Sequence, residues 1–190
     1  MTAADAYLAD VRRSMAGMDA SIRDDILREL QGHIAESAAA NGGNLEASLA
    51  ALGPAHEVGR HYREVYGYGK GYRILFAAVA FLLAVFSVPV VIVGTDTSFP
   101  FALSLVFVVG TAMWILWVSV AAGSRAGMLT GAAGLAGRLI TFAAVAATEP
   151  AAIVNPAGLG LLVAVSILFV FLGAIPGTAK QAWSAPKIDL

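Results

Sequence analysis

The feature that most constrains this chain is a long segment that is almost free of charge. It runs from Ile74 to Ala179, and its only charged residues are Asp96, Arg125, Arg138 and Glu149. Charged residues make up 13% of the whole chain, against about 25% in soluble domains. A segment this long and apolar cannot be the core of a soluble domain, so it is solvated by lipid. The sequence therefore predicts an all-α protein with a bundle of helices in a membrane.

Apolar length predicts about four transmembrane helices in this segment, because one span needs about 20 predominantly apolar residues. The predicted bundle covers residues 72–179, and its spans are 72–93, 99–122, 127–147 and 158–175. A tail, residues 180–190, follows the last span.

Two placements of the third span are open. Residues 127–147 put Arg138 near the middle of the span, which is costly unless the charge is shielded. A start at Leu139 leaves Arg138 at the membrane edge but places Glu149 inside. We favour the first placement because glycines recur at every fourth position over residues 123–131. Such a ladder of small residues lets helix backbones approach closely.

Arg138 and Glu149 are the candidate intramembrane polar residues, since an ionisable residue inside a membrane is a functional-site hypothesis by default. They are about 16 Å apart along a helix, so they would not meet on one straight helix. One functional hypothesis is a small transporter, or an accessory subunit of a membrane transport complex, in which both residues line a path.

Most of the charge lies in the N-terminal part of the chain. Residues 1–70 hold seven of the twelve basic residues and ten of the thirteen acidic ones, which leaves a net charge of −3. Residues 1–66 are predicted to form a helical head, joined to the bundle by a flexible Gly/Tyr linker at 67–71. The N-terminus lacks the basic flank and apolar core of a signal peptide, so the head is expected to stay in the cytosol. Basic residues flank the spans on the side of the head, so both termini are predicted to be cytoplasmic in a multi-pass protein of the cell membrane.

Three or four short amphipathic helices are predicted in the head. Thr2 and Asp5 form a capping box at the start of the first helix, and the second helix begins near Asp19 or Ser21. Gly53 is predicted to end the third helix, and Pro54 is suited to the first turn of the fourth. The second helix carries an apolar arc at helical spacing, formed by Ile22, Ile26, Leu30, His33 and Ile34.

Several of these features, in the same order, are typical of a known family. The main runs are Leu27-Arg28-Glu29-Leu30-Gln31-Gly32-His33-Ile34 and Leu49-Ala50-Ala51-Leu52-Gly53-Pro54. Over most of residues 5–66 the chain resembles the HAAS signalling domain, in which a Glu-Leu-x-x-His helix precedes an Ala-Leu-x-x-Leu-Gly-x-Pro turn. Here Gly53 and Pro54 are adjacent, without the residue that the family often places between them. Asp19 also stands where the family commonly has a proline.

The resemblance implies a signalling role, because such heads are typically joined to several membrane helices and often occur beside PadR-type transcriptional regulators. Its candidate interaction or switch residues in the head are Glu29, His33, Gly53 and Pro54. The leading hypothesis is a membrane-anchored regulatory protein whose head binds a cytosolic protein partner, with a PadR-like regulator as the implied class. Membrane lipid is the expected partner of the bundle. A head of this size has a small core, so a homo-oligomer is also consistent with the sequence.

Other kinds of chemistry have little support in the sequence. The chain has no cysteine, which excludes disulfides, a thiolate nucleophile and cysteine-based metal sites. His56 and His61 are five positions apart, about 140° around a helix axis, so their rings cannot converge on one metal ion. The negative head disfavours nucleic acid. We expect no metal site, no cofactor and no enzymatic activity.

Overall fold

The computed structural model of the protein describes residues 2–88, 98–148 and 156–184, with side chains described in 2–88, 102–148 and 159–179. The described residues form eight α-helices and no strand, which confirms the predicted all-α class. The chain divides into two compact units, Met1–Tyr72 and Arg73–Leu190.

The first unit is the helical head. Thr2 and Asp5 form the predicted capping box, each side chain bonding the backbone N–H of the other residue. The Asp19 carboxylate accepts a hydrogen bond from the Ser21 backbone N–H, so Asp19 caps the second helix. The helices of the head are α1 (Ala3–Ser14), α2 (Ala20–Ala40), α3 (Leu45–Leu52) and α4 (Ala55–Tyr66).

The core of the head forms where α1, α2 and α4 meet. Its buried residues are Val11, Met15, Met18, Ile26 and Leu30. The helices α1 and α4 approach closely at Gly59, where a Cβ atom would lie 2.6 Å from the Val11 carbonyl oxygen. A larger residue at Gly59 would therefore push α4 away from α1.

The predicted linker, residues 67–71, contacts the head through a backbone hydrogen bond. The Gly69 backbone N–H donates a hydrogen bond to the Gly17 carbonyl, with an N–O distance of 2.9 Å. A Cβ atom on Gly17 would lie 2.9 Å from the Tyr68 ring. The glycines are therefore needed for close packing on the turn between α1 and α2, so this segment is part of the head.

The second unit is a bundle of long apolar helices. Three of its segments are long and apolar enough to cross a membrane, namely Ala102–Ala122, Ser124–Thr148 and Leu159–Ala179. A fourth candidate arises if α4 and the helix that follows it are counted as one broken span. This agrees with the predicted bundle of about four spans. The helices are α5 (Lys70–Val85), α6 (Ser98–Ala122), α7 (Ser124–Thr148) and α8 (Pro156–Ser184).

The glycine ladder brings α7 and α8 into backbone contact. A Cβ atom on Gly127 would overlap the Gly173 carbonyl oxygen, and one on Gly131 would overlap the carbonyl oxygen of Phe169. Since nothing larger than hydrogen fits at these positions, the ladder sets the distance between the two helices. The same helix α7 runs through Arg138 without a break, so this residue lies in the interior of the helix.

The helix α6 is joined to α8 by a hydrogen-bonded side chain. The Ser119 hydroxyl donates to the Gly173 carbonyl at 2.7 Å and accepts from the Gly177 N–H at 3.0 Å. These are the two backbone groups that one i→i−4 helical hydrogen bond would join, and Pro176 lies between them. Ser119 therefore supports α8 where its proline interrupts the regular hydrogen-bond pattern.

Gly127→Ala should destabilise the bundle, because the added methyl group collides with backbone that has no room to yield. We expect a loss of about 1–3 kcal/mol, in the range of overpacked cores. Thermal unfolding of the detergent-solubilised protein would measure it.

Gly110→Ala is the matched control, since a Cβ atom there meets nothing within 4 Å. Its melting temperature should equal or exceed that of the parent. Equal effects of the two substitutions would contradict the assigned contact between α7 and α8.

Candidate functional site

Two of the predicted head residues lie on an exposed surface of α2. Glu29 and His33 are both exposed, and among the described residues neither forms a hydrogen bond or ion pair. The predicted apolar arc is correct for Ile26, Leu30 and Ile34, which are buried. It is wrong for Ile22 and His33, which are exposed. The reason is position around the helix. At about 100° per residue, Ile22 and His33 lie at the edge of the arc that is nearest Glu29, so the buried stripe is narrower than predicted.

The other two predicted head residues form the turn between α3 and α4. Gly53 has φ of 83°, a backbone conformation that favours glycine, and Pro54 precedes the first residue of α4. The Tyr7 hydroxyl donates a hydrogen bond to the Gly53 carbonyl at 3.0 Å, which joins α1 to this turn. Burial raises the pKa of the Tyr7 hydroxyl above its ordinary value of 10.0, so the group stays protonated and able to donate at neutral pH. Gly53 and Pro54 therefore shape the head, whereas Glu29 and His33 are accessible on its surface.

The most unusual group in the bundle is the guanidinium of Arg138. The side chain is completely buried, with 0% of its surface exposed. Its Nη1 donates to the Ser87 hydroxyl at 2.6 Å, and its Nε donates to the Ser166 hydroxyl at 3.1 Å. The guanidinium carbon also lies 5.7 Å from the centre of the Phe169 ring, within the range of a cation–π contact. Arg138 on α7 therefore joins α8 to the segment that follows α5.

Both serines are oriented as acceptors by their own helices. The Ser87 hydroxyl donates to the Ala84 carbonyl at 2.6 Å, and the Ser166 hydroxyl donates to the Leu162 carbonyl at 2.7 Å. Each hydroxyl has only one proton, so the oxygen lone pairs remain for the guanidinium. Ala84 is in the last turn of α5, where the exposed carbonyls carry about half a negative charge. The positive charge is thus balanced in part by the C-terminal end of a helix.

The hydrogen bonding of Arg138 is incomplete. Its Nη2 is buried and, among the described residues, has no hydrogen-bond partner. No salt bridge in the described part of the chain involves Arg138. Glu149, the other candidate intramembrane residue, lies outside the described residues. Since an arginine cannot shed its proton in a protein, the described residues neutralise the buried charge of Arg138 only in part.

Sequence reasoning found Arg138 but missed its partners. Ser87 and Ser166 are 51 and 28 residues away from it along the chain, so no local spacing connects them. The sequence signal for these partners was weak. Ser87 and Ser166 are polar residues in apolar segments, but a serine hydroxyl in a helix usually bonds a carbonyl of its own helix. For metals, the described residues contain no group of three or more histidine, aspartate or glutamate side chains arranged to hold an ion.

These observations define a class of protein: a small helical head followed by a bundle of apolar helices long enough to span a membrane. The model of the HAAS family matches residues 6–60, which confirms the predicted resemblance of the head. The match suggests a signalling or regulatory role. Neither a curated protein nor a solved structure matches the chain.

Tyr7→Phe should loosen the turn between α3 and α4, because it removes the hydroxyl that bonds the Gly53 carbonyl. We expect a loss of about 1 kcal/mol, equivalent to roughly fivefold faster amide exchange in the turn. Hydrogen–deuterium exchange of the full-length protein would measure it. Tyr66→Phe is the control, since the Tyr66 side chain is exposed and its stacking on Tyr62 survives in phenylalanine. Unchanged exchange in Tyr7→Phe would contradict the role given to this bond.

Ser166→Ala and Arg138→Met should have different effects on stability. Ser166→Ala leaves the charged Nε without its partner, which costs about 1–3 kcal/mol. Arg138→Met removes the charge and keeps an apolar chain of similar length, so we expect little change or a gain. Tryptophan fluorescence during thermal unfolding in detergent would measure the stability of both variants. Thr178→Ala is the control, because the exposed Thr178 hydroxyl bonds only carbonyls of its own helix. A larger loss for Arg138→Met than for Ser166→Ala would show that the cation itself stabilises the bundle.

Proposed function

We propose that this protein is a membrane-anchored regulatory protein whose head binds a cytosolic protein partner. The observation that carries the proposal is the HAAS match over residues 6–60, on a chain that continues into apolar helices long enough to span a membrane. A domain of this family supports a role in binding a partner, because HAAS is a regulatory domain and is not known to be catalytic. The bundle is the anchor, and its expected partner is membrane lipid.

The exposed surface of α2 is the part of the head that best fits a partner. Its exposed charged residues and histidine are Asp24, Asp25, Arg28, Glu29, His33 and Glu36. Acidic side chains predominate, so a basic surface on the partner would be complementary. The resemblance of the head implies a PadR-type regulator as the partner class, and a DNA-binding protein of this type carries basic residues.

The proposed topology places the head and the C-terminal tail in the cytosol. It follows from the positions of the basic residues in the sequence, which flank the predicted spans on the side of the head. In the proposed topology Arg125, in the first turn of α7, lies on the same side as the head. Self-association of the head remains a separate prediction from its small core.

Transport has less support than regulation. In the described part of the bundle Arg138 is enclosed and bonded to two serines, so it does not line an open path. The second residue of the transport hypothesis, Glu149, lies outside the described residues. The regulatory proposal has a family match that supports it, and the transport hypothesis has none.

Co-purification would test the proposal. The full-length tagged protein, solubilised in mild detergent, should retain a PadR-type regulator from its own organism. Glu29→Ala combined with His33→Ala should reduce that retention at least tenfold, because both side chains lie on the proposed contact surface.

The matched control is His56→Ala combined with Glu57→Ala, which changes the same two residue types at exposed positions of α4. Retention should equal that of the parent. If the parent retains no regulator, or if both double variants lose it equally, the proposed partner surface is wrong.

A further inference from the structure

The charge of the head is divided unevenly along its sequence. Residues 1–59 hold nine acidic and four basic residues, a net charge of −5. Residues 60–70 hold one acidic and three basic residues, a net charge of +2. Two of these basic residues, Arg60 and Arg63, are on α4, and neither forms an ion pair among the described residues. The basic segment is therefore the one that leads into α5, and the acidic residues precede it.

Exposed apolar surface in the head is concentrated on the same segment. Val65 and Tyr66, in the last turn of α4, are 64% and 53% exposed. Val58 and Tyr62, on the same helix, are partly buried against the core of the head. The Tyr66 ring stacks on the Tyr62 ring, with 6.4 Å between their centroids. The apolar stripe of α4 therefore continues past the core and ends in exposed side chains.

The side chains around Tyr66 are sorted by charge. At about 100° per residue, Arg63 lies about 60° from Tyr66 around the axis of α4, and Val65 lies about 100° from it on the other side. Glu64, the acidic residue of this segment, lies about 160° away from Tyr66. Arg63, Val65 and Tyr66 are here termed the proximal patch. Its composition is that of an interfacial helix, in which aromatic and aliphatic side chains enter the headgroup region beside a basic residue.

The chain itself keeps the proximal patch near the membrane. Tyr66 is four residues from Lys70, where α5 begins, and four residues span at most about 14 Å. The first predicted span starts two residues beyond Lys70. Because the interfacial region of a bilayer is about 5–8 Å thick on each side, the patch is within reach of the lipid headgroups.

Charge decides which surface fits the proximal patch. In the proposed topology the head faces the cytosolic leaflet, whose anionic lipids attract basic residues next to a span. The same lipids repel the acidic residues 1–59. Both effects favour contact through the proximal patch and disfavour contact through the acidic surface of α2. A protein that covered the patch would need an acidic surface, opposite in charge to the basic one that fits α2.

We propose that the proximal patch binds the anionic phospholipid surface next to α5, so that the last turn of α4 holds the head against the membrane. This contact goes beyond the proposed partner binding and uses a different surface, since the partner was assigned to α2. The two are therefore tested separately.

Collision of a spin label with paramagnetic reagents would test the contact with lipid. The chain has no native cysteine, so a nitroxide at Val65→Cys reports on this position alone in the full-length protein. In nanodiscs that contain phosphatidylglycerol, its collision with lipid-soluble oxygen should exceed its collision with a water-soluble nickel chelate. Ala35→Cys, at an exposed position of α2, is the control and should show the reverse order.

Removal of one basic residue would test the role of charge. Arg63→Gln, in the protein labelled at Val65→Cys, should reduce the lipid-bound population roughly fivefold, because one basic residue at an anionic surface contributes about this factor. Arg28→Gln is the matched control, since it removes the same charge from an exposed position of α2, and it should leave the population unchanged. Replacement of phosphatidylglycerol by phosphatidylcholine should lower the bound population of the parent and remove its difference from Arg63→Gln.

The proposal is overturned if the labels at Val65 and Ala35 collide with the two reagents in the same ratio. Exclusion of both reagents from Val65 would also overturn it, because the patch would then be covered by protein, such as a second copy of this chain. Equal effects of Arg63→Gln and Arg28→Gln would overturn the role of charge. Failure of partner retention with the lipid contact intact would instead overturn the proposed function.

Discussion

The bundle is organised around one buried positive charge. A guanidinium cannot be neutralised by losing a proton, so a chain that encloses Arg138 must supply acceptors from other helices. Ser166 comes from α8 and Ser87 from the segment that follows α5, and both reach Arg138 only because α5 and α8 lie close to α7. That closeness is made by glycines, Gly131 towards α8 and Gly137 towards α5. The small-residue face and the buried charge of α7 thus depend on each other.

The absence of a carboxylate among the described contacts of Arg138 has a structural consequence. A carboxylate would hold the guanidinium by two short bonds of fixed geometry. Hydroxyls hold it by single bonds and pass the interaction on to the carbonyls of Ala84 and Leu162. The charge is thereby coupled to the backbone of α5 and α8.

The sequence was sufficient for the class of protein because that class depends on local properties. The gap in charge from Ile74 to Ala179, and helix starts such as Thr2 and Asp19, can be identified within a few residues of each feature. The head family was identifiable for the same reason, since its features follow one another in order. The partners of Arg138 were not identifiable, because Ser87 lies 51 residues away and resembles any serine that bonds its own helix.

Glycine has two structural uses in the segment that joins the head to α5. In sequence, the glycines of the linker indicate freedom of the backbone, which is why a flexible segment was predicted. The lack of a side chain also permits backbones to touch, and Gly69 uses it to bond the Gly17 carbonyl while Gly17 accommodates the Tyr68 ring. Which of the two uses applies depends on whether another surface is close enough to fill the space. Here the turn between α1 and α2 is that surface, so the segment that leads into α5 is fixed to the head by contacts that any larger side chain would break.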